Sequence, residues 1–187
     1  MRTLSAFDHI SLDGCFVDRN NDMSWAHRDS GDPEWNAFVA GNASGDGILL
    51  FGRITYEMMA SYWPTPQALS SNPHVAQRMN SGQKIVFSRT LDRAEWSNTQ
   101  LIKDDLVESV RKLKRESARD IVILGSGSIV AQLAGAGLID KLQLVLNPLA
   151  LGGGRSLFEG VRNQLDFNLL DSRAFNNGKV VLTYAPA

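Results

Sequence analysis

The chain has 187 residues, of which 43% are hydrophobic and 21% are charged, a composition that allows a sizeable core in an ordinary globular protein. Its formal net charge is −1 and its basic residues are scattered, which argues against a dedicated nucleic-acid surface. The single cysteine, Cys15, excludes a disulfide framework and a cysteine-rich metal site, and we expect no bound metal.

The first third of the chain predicts two strands, each followed by a helix. In chain order the predicted elements are a strand at 2–10, a polar loop at 11–22, a helix from Pro33 to about Gly45, a strand at 47–51 and a helix at 54–63. Proline suits the first turn of a helix, which supports the start at Pro33, and Pro64 stops the second helix.

The rest of the chain continues the alternation. The predicted elements are a polar loop at 64–83 with room for a short helix around 75–79, a strand at 84–88, a helix at 104–116, a strand at 120–125, a helix at 128–137 and a strand at 139–151. Asn-Asn-Gly at 176–178, between apolar segments, indicates a closing β-hairpin. This order predicts an α/β fold with a mostly parallel sheet, helices on both faces and an antiparallel hairpin at one edge.

Polar or glycine-bearing turns follow four of the predicted strands. They read SLDG at 11–14, GRIT at 52–55, SRT at 88–90 and GSGS at 125–128. Because such sheets bind ligands outside the carboxyl ends of their strands, the four turns are expected to form one site. Glycine permits close backbone approach, helix N-termini favour anions, and the guanidinium groups of Arg53 and Arg89 suit phosphate oxygens. A phosphorylated dinucleotide fits best, although each turn alone also fits an ordinary helix start with a solvated arginine.

Five segments resemble, in order and spacing, the dihydrofolate reductase superfamily, and most closely the reductase domain of the riboflavin-biosynthesis deaminase-reductase and its stand-alone relatives. They are SLDG, FGRITYE, VFSRT, ILGSGSIVAQL and NPLALGGGRSLFEG. The resemblance covers almost the whole chain and implies a dihydrofolate reductase-like three-layer sandwich. It also implies an NADPH-dependent reductase that transfers hydride to a C=N or C=O group of a small heterocyclic, pterin-like or pyrimidine-like substrate.

The resemblance assigns cofactor roles residue by residue. In this family the glycine-arginine-threonine and serine-arginine motifs hold the 2′-phosphate end of NADPH, and the glycine-rich turn lies against the pyrophosphate. The matching residues are Gly52, Arg53, Thr55, Ser88, Arg89, Gly125, Ser126, Gly127, Ser128 and Ile129. The segment at 20–25 is similar to the mobile loop that closes over nicotinamide, which implies that Trp25 lies beside the cofactor; a loop-anchoring tryptophan is the alternative.

Two carboxylates are candidates to assist protonation. Asp32, with Glu34 as a rival, resembles the carboxylate that holds the pterin ring in dihydrofolate reductases, and Asp13 lies at the mouth of the first strand. Asp32 also fits a helix N-terminal charge, and Asp13 fits a turn that caps the strand. Leu124 stands where the riboflavin reductases tend to carry an acidic residue that contacts substrate, and the zinc ligands of the deaminase are absent.

These observations together predict one domain over residues 1–187, without a signal-like N-terminus or an apolar run of about 18 residues, and hence a cytoplasmic protein. The long apolar segment at 142–151, taken as an edge strand, and the resemblance both predict a homodimer. Two alternatives to the NADPH-dependent reductase stay open: a dihydrofolate reductase proper, and a non-catalytic nucleotide-binding protein of the same fold.

Overall fold

The computed structural model describes residues 1–27, 31–42 and 45–187. Its strands are β1 (Leu4–Ile10), β2 (Cys15–Asp18), β3 (Ile48–Gly52), β4 (Lys84–Phe87), β5 (Thr99–Ile102), β6 (Ile121–Leu124), β7 (Lys141–Leu146), β8 (Gly154–Ser156), β9 (Phe167–Ala174) and β10 (Val180–Pro186). Its helices are α1 (Pro33–Asn42), α2 (Arg53–Tyr62), α3 (Pro66–Ser71), α4 (Pro73–Ser81), α5 (Leu106–Glu116) and α6 (Gly127–Gly135), and a 3-10 turn spans Ser24–His27.

Eight of these strands form one sheet in the order β5-β4-β3-β6-β1-β7-β10-β9, and β2 pairs with β8 beside it. The six strands from β5 to β7 are parallel, whereas β10 runs antiparallel to both β7 and β9. This topology confirms the predicted α/β class, the mostly parallel sheet and the C-terminal antiparallel hairpin.

Side chains on alternate positions of the strands pack against helices on opposite faces of the sheet. Leu4 and Ala6 of β1 belong to a core cluster with residues of α5 and α6, including Val110 and Leu133. Phe7, which follows Ala6 and therefore points to the other face, packs there in a cluster with Trp35 of α1. The same face carries a third cluster that includes residues of α2 and α4. The molecule is therefore a three-layer sandwich, as expected.

Several segments differ from the prediction, among them β2, which lies in the predicted loop at 11–22, and β8, which was not predicted. Residues 64–83, expected to be largely loop, contain α3 and α4, each of which begins with a proline at its first position. Proline signals a break in sequence patterns but also fits the first turn of a helix, where its missing N–H has no intrahelical role. In addition, the Thr65 hydroxyl accepts the amide of Ala68 at 3.2 Å and caps α3. The short edge strand β5 was missed because its four residues carry little apolar pattern.

The strand predicted at 139–151 is β7, which ends at Leu146 and lies between β1 and β10. It is therefore not an edge strand, so that argument for a homodimer was wrong. The outer strand at that side is β9, where seven of eight residues are exposed, including Leu169 at 54% and Leu170 at 60%. Within the described ranges no helix has the length and hydropathy needed to cross a bilayer.

Candidate cofactor site

The four polar turns lie at one edge of the sheet, as predicted. Strands β4, β3, β6 and β1 are consecutive neighbours and run parallel, so their carboxyl ends are adjacent. The turns after them carry all the residues predicted to bind the cofactor. Whether those residues contact a cofactor stays a prediction, but the fold brings them to the same end of the molecule.

The turns after β3 and β6 are hydrogen-bonded to each other. The amide of Gly52 donates to the hydroxyl of Ser126 at 3.0 Å, and that hydroxyl donates to the carbonyl of Leu124 at 3.3 Å. Ser126 has a left-handed backbone conformation with φ of 62°, which turns the chain sharply from β6 into α6. The Gly52 amide therefore already has a hydrogen-bond acceptor within the protein.

Small residues allow these two turns to approach. A Cβ added to Gly52 would lie 3.3 Å from Ile129, and one added to Gly125 would lie 3.4 Å from the methyl group of Thr55. Thr55 and Ile129 are buried. Five of the ten predicted cofactor residues therefore pack against one another, and at least part of the glycine-rich pattern serves this contact.

The first turn of α6 is covered by an aromatic ring. A Cβ added to Gly127 would lie 2.7 Å from ring atoms of Phe16, a separation that real side chains do not show. On the Phe16 ring the Arg155 guanidinium lies 5.3 Å from the centroid. Ser128, the next residue of α6, is exposed. Glycine at 127 is required by the packing of Phe16.

The predicted phosphate end is a cleft of about 580 Å³ beside the start of α2. It is lined by Arg53, Glu57 and residues 90–93, which include Arg93. Arg53 pairs with Glu57 at 2.9 Å while about two-fifths of its side chain stays exposed, and Arg93 pairs with Glu95. Arg93 was missed by the sequence analysis because it lies outside the serine-arginine motif.

The serine-arginine motif shapes the turn after β4, and its predicted contact with the cofactor stays a prediction. The Ser88 hydroxyl accepts the amides of Thr90 at 3.2 Å and Leu91 at 2.9 Å, which shapes the turn after β4. Arg89 is exposed and is not among the residues that line the cleft. Arg53 and Arg93 are therefore the two guanidinium groups that the cleft offers to an anion.

The candidate catalytic residue Asp13 is hydrogen-bonded to the loop that follows β7. Its two oxygen atoms accept the amides of Leu151 and Gly152 at 3.0 and 2.9 Å. The Ser11 hydroxyl and these amides lower the pKa of Asp13 to about 2, so the group is ionised near neutral pH. An anchoring role is favoured by this geometry, and a catalytic role stays a prediction.

Asp32, the other candidate carboxylate, caps α1. One oxygen accepts the amides of Glu34 and Trp35 at 3.0 and 3.2 Å, and the other accepts the amide of Asn177 at 3.1 Å. Asp32 is buried and joins the start of α1 to the β9–β10 turn. Glu34, its rival, pairs with Arg173 on β9.

Trp25 is buried in the 3-10 turn, and its indole nitrogen donates to the carbonyl of Asp22 at 3.2 Å. This contact fits the alternative in which Trp25 anchors its own loop. The residues 28–30 that follow this turn lie outside the described ranges. Closure of Trp25 over nicotinamide stays a prediction.

The end of β1 carries two buried ionisable residues that the sequence analysis did not select. Burial raises the pKa of Asp8 to about 7, although the amide of His9 donates to its Oδ1 at 2.9 Å. Burial and the charges of His27 and Lys179 lower the pKa of His9 to about 3. The sequence carried a weak signal, because two successive ionisable residues stand within a predicted strand.

Across the three described ranges, no group of three or more histidine, cysteine or acidic side chains could hold a metal ion. The arrangement offers instead an arginine-lined cleft, two interlocked glycine-bearing turns and a buried carboxyl at the end of the central strand.

Residues 2–181 match the model of the family described as the RibD C-terminal domain. The chain belongs to this family, which confirms the resemblance to the riboflavin-biosynthesis reductase domain. An uncharacterised protein of Bacillus subtilis, YyaP, is 27% identical over 94% of this chain and 90% of its own length.

Solved structures agree with the family. A putative riboflavin biosynthesis protein from Shewanella sp. PV-4 is 25% identical with a TM-score of 0.74, and the match covers 100% of this chain and 99% of that one. The diaminohydroxyphosphoribosylaminopyrimidine deaminase/5-amino-6-(5-phosphoribosylamino)uracil reductase of Thermotoga maritima is 15% identical with a TM-score of 0.70. That match covers 100% of this chain but 57% of the larger protein, and it shows a shared fold.

Proposed function

We propose that this member of the RibD C-terminal domain family is an NADPH-dependent reductase that transfers hydride to a C=N or C=O group of a small pyrimidine-like or pterin-like molecule. The observation that carries the proposal is the convergence of four polar turns and an arginine-lined cleft at the carboxyl edge of a reductase-type sheet. Membership of the family supports an oxidoreductase.

The cleft suits the phosphorylated adenosine end of the cofactor. Arg53 and Arg93 both line it, and a guanidinium group binds phosphate oxygens through two parallel hydrogen bonds. The carboxylates of Glu57 and Asp92 line the same cleft, so a bound phosphate replaces Glu57 as the partner of Arg53. Because NADH lacks the 2′-phosphate, this fit favours NADPH.

The start of α6 suits the pyrophosphate only after one local change. Helix N-termini attract anions, but the Phe16 ring lies against Gly127 there. On this proposal the ring leaves Gly127 when the cofactor binds. Ser128 is exposed at the same turn and is available to a ligand.

The bound cofactor supplies the hydride, and the chain supplies position and exclusion of water. The turns after β3 and β6 are joined by hydrogen bonds and packing, and the Gly125 amide joins the second turn to Phe7 of β1, so these elements form one floor for the cofactor. The proposed substrate class is taken by analogy with the Thermotoga maritima protein of the same fold, which is a 5-amino-6-(5-phosphoribosylamino)uracil reductase.

The proposal is tested by calorimetric titration with NADPH and NADH, followed by assay of NADPH oxidation with 5-amino-6-(5-phosphoribosylamino)uracil and with dihydrofolate. We expect NADPH to bind at least about tenfold more tightly than NADH, since a charged hydrogen bond contributes roughly 1.5–3 kcal/mol. Equal affinity for the two nucleotides contradicts the phosphate assignment. Binding of NADPH without turnover of any substrate in a broad panel would favour the non-catalytic alternative.

We also propose a homodimer, which the family resemblance implies and which the exposed leucines of β9 make reasonable. Light scattering at micromolar concentration measures the mass directly. A species of 20.5 kDa contradicts the homodimer.

A further inference from the structure

The strands β1 and β6 separate at a defined point. They pair from Leu4–Ile121 to Phe7–Leu124, and the amide of Gly125 donates to the carbonyl of Phe7 at 2.8 Å as the last contact. Asp8, His9 and Ile10 then continue β1 beside β7 alone. From Asp8 onward, β1 therefore has no strand partner on the side of β6, where the glycine-rich turn leaves the sheet.

This point is a topological switch of the sheet. The helix that follows β1 is α1, which packs on the face that carries Phe7. The helix that follows β6 is α6, which packs on the opposite face. Adjacent parallel strands whose connections leave to opposite faces open a crevice at their carboxyl ends, and ligands of open α/β sheets bind there.

Asp8 is the first residue of β1 beyond the last paired position, and its side chain lies on the same face as α6 by alternation with Leu4 and Ala6. It is 1% exposed. Its Oδ1 accepts the amide of His9, and its Oδ2 has no hydrogen-bond partner among the described residues. A buried carboxyl oxygen without a partner costs stability, and a ligand bound at the switch point of the sheet would supply the missing partner.

The charged side chains near this end of β1 have partners other than Asp8. Helix α6 carries none. Asp13 and Asp18, which follow β1, accept backbone amides, and Arg155 of β8 pairs with Glu159 at 2.9 Å. His9 lies on the opposite face. Within the described ranges, no hydrogen bond or ion pair joins Asp8 to another ionisable side chain, so its protonation is governed mainly by burial.

We propose that Asp8 is the catalytic acid of the reduction: its Oδ2–H contacts the substrate heteroatom and donates the proton that accompanies hydride transfer. This inference rests on the proposed function. The nicotinamide ring is oxidised as its hydride forms a C–H bond at the C=N or C=O carbon, and the π electrons form an N–H or O–H bond with the Asp8 proton. The resulting carboxylate regains its proton from water before the next turnover.

Asp8 is suited to donate a proton because of its protonation state near neutral pH. Because burial raises the pKa of Asp8 to about 7, a large fraction of the group is protonated near neutral pH. A general acid works best with a pKa near the working pH, and such catalysis contributes about 10²–10⁴-fold. Asp13, ionised well below neutral pH, is unsuited to this step.

The kinetic test compares wild type with Asp8→Asn, Asp8→Glu and the exposed control Asp171→Asn on β9. Single-turnover rates are measured from pH 5 to 9 with saturating NADPH and 5-amino-6-(5-phosphoribosylamino)uracil or dihydrofolate as the probe. The wild-type rate should fall as pH rises through about 7. Asp8→Asn should be at least about tenfold slower at pH 6 and lose this dependence, Asp8→Glu should keep it, and Asp171→Asn should match wild type.

A second measurement needs no turnover. The carboxyl ¹³C resonance of Asp8 in the labelled wild-type protein should titrate near pH 7 and should shift when saturating NADPH is added. A resonance that titrates below pH 5, or that ignores the nucleotide, overturns the inference, as does an Asp8→Asn variant with wild-type rate and pH profile. Absence of NADPH binding to the wild type instead overturns the proposed function, which separates the two failures.

Discussion

Gly52 and Ser126, 74 residues apart in the chain, join the two central turns through a 3.0 Å hydrogen bond from the Gly52 amide to the Ser126 hydroxyl. Ser126 is held in a left-handed conformation, so its side chain must compensate for backbone strain that glycine would avoid. One serine hydroxyl thus links β3 to β6 at the mouth of the crevice.

Replacing Ser126 by alanine should destabilise the protein by about 1–3 kcal/mol, because the Gly52 amide loses its acceptor and the strain remains. Ser126→Gly should cost less, since glycine tolerates the left-handed conformation. Urea unfolding measures the free energy of unfolding of both variants. Ser128→Ala, which changes an exposed serine two residues further along the chain, is the control. Equal stability of Ser126→Ala and wild type contradicts the proposed link.

Gly127 and Gly135, the first and last residues of α6, form a matched pair. Gly127→Ala places a Cβ 2.7 Å from the Phe16 ring and should cost about 1–3 kcal/mol through overpacking. Gly135→Ala meets no atom within 4 Å and should be neutral or stabilising by up to about 1 kcal/mol.

The cause of the Gly127 effect is checked by adding Phe16→Leu. The smaller side chain should recover part of the stability lost in Gly127→Ala, and a double-mutant cycle measures the coupling. Additive effects of the two substitutions mean that the ring does not restrict residue 127.

Arg53→Ala and Arg93→Ala should each raise KM for NADPH while leaving kcat nearly unchanged. Both residues line the cleft far along the sheet edge from β1, so their loss removes binding that is equal in the ground and transition states. We expect at least about a tenfold effect for Arg53. Arg111→Ala, which also removes an exposed helical ion pair, is the control.

The same series tests the serine-arginine motif. Arg89→Ala should have a smaller effect than Arg93→Ala, because Arg93 lines the cleft and Arg89 does not. The opposite order would support the assignment of Arg89 to the 2′-phosphate. A loss of kcat at saturating NADPH in the arginine variants would mean that the cofactor lies in another orientation.

The sequence motif pointed to Arg89, whereas Arg93 lines the cleft, and this difference illustrates how far the sequence predicts the site. The mostly parallel sheet, the C-terminal hairpin and the shared edge of the four turns followed from apolar runs separated by helical patterns, whereas the order of the strands in the sheet was not predicted. The contacts within the site did not follow, because they depend on side chains distant in sequence: Phe16 against Gly127, and the Gly52 amide on Ser126. Burial of Asp8 was only weakly signalled by the adjacent Asp-His pair, since a polar residue at a strand end is usually exposed.

Burial of Asp8 should also appear in the pH dependence of stability. Its pKa rises from 3.8 in the unfolded chain to about 7 in the folded one, so between these values the native state binds a proton that the unfolded state releases. The free energy of unfolding contributed by this group therefore falls as pH rises from about 4 to about 7, by roughly 1.4 kcal/mol per unit of pKa shift at most.

Asp8→Asn removes this contribution and should gain stability relative to wild type as pH rises from 5 to 8. His9, with a pKa lowered to about 3, acts in the opposite direction but is present in both proteins, so the difference between them isolates Asp8. Urea unfolding of both proteins, with Asp171→Asn as reference, measures the difference. A difference that is independent of pH contradicts a buried, titrating Asp8.

The last prediction separates a cap from a catalytic carboxylate at Asp32. Both oxygens of Asp32 accept backbone amides, two from the first turn of α1 and one from Asn177. Asp32→Ala should therefore lower the free energy of unfolding by about 1–2 kcal/mol, as loss of an N-cap does. Asp32→Ser should recover part of this loss, since its hydroxyl can still cap α1, but it cannot also reach the Asn177 amide.

If Asp32 only caps α1, hydride transfer at temperatures where the variants are folded should be close to wild type, and wild-type affinity for methotrexate should be weak. Glu34→Gln, which alters the adjacent carboxylate that pairs with Arg173, is the control. A dihydrofolate reductase proper needs a carboxylate that is free to hold the pterin ring. Tight methotrexate binding that Asp32→Ser abolishes, with the fold intact, would show that Asp32 exchanges its backbone partners for the ligand and would favour that alternative.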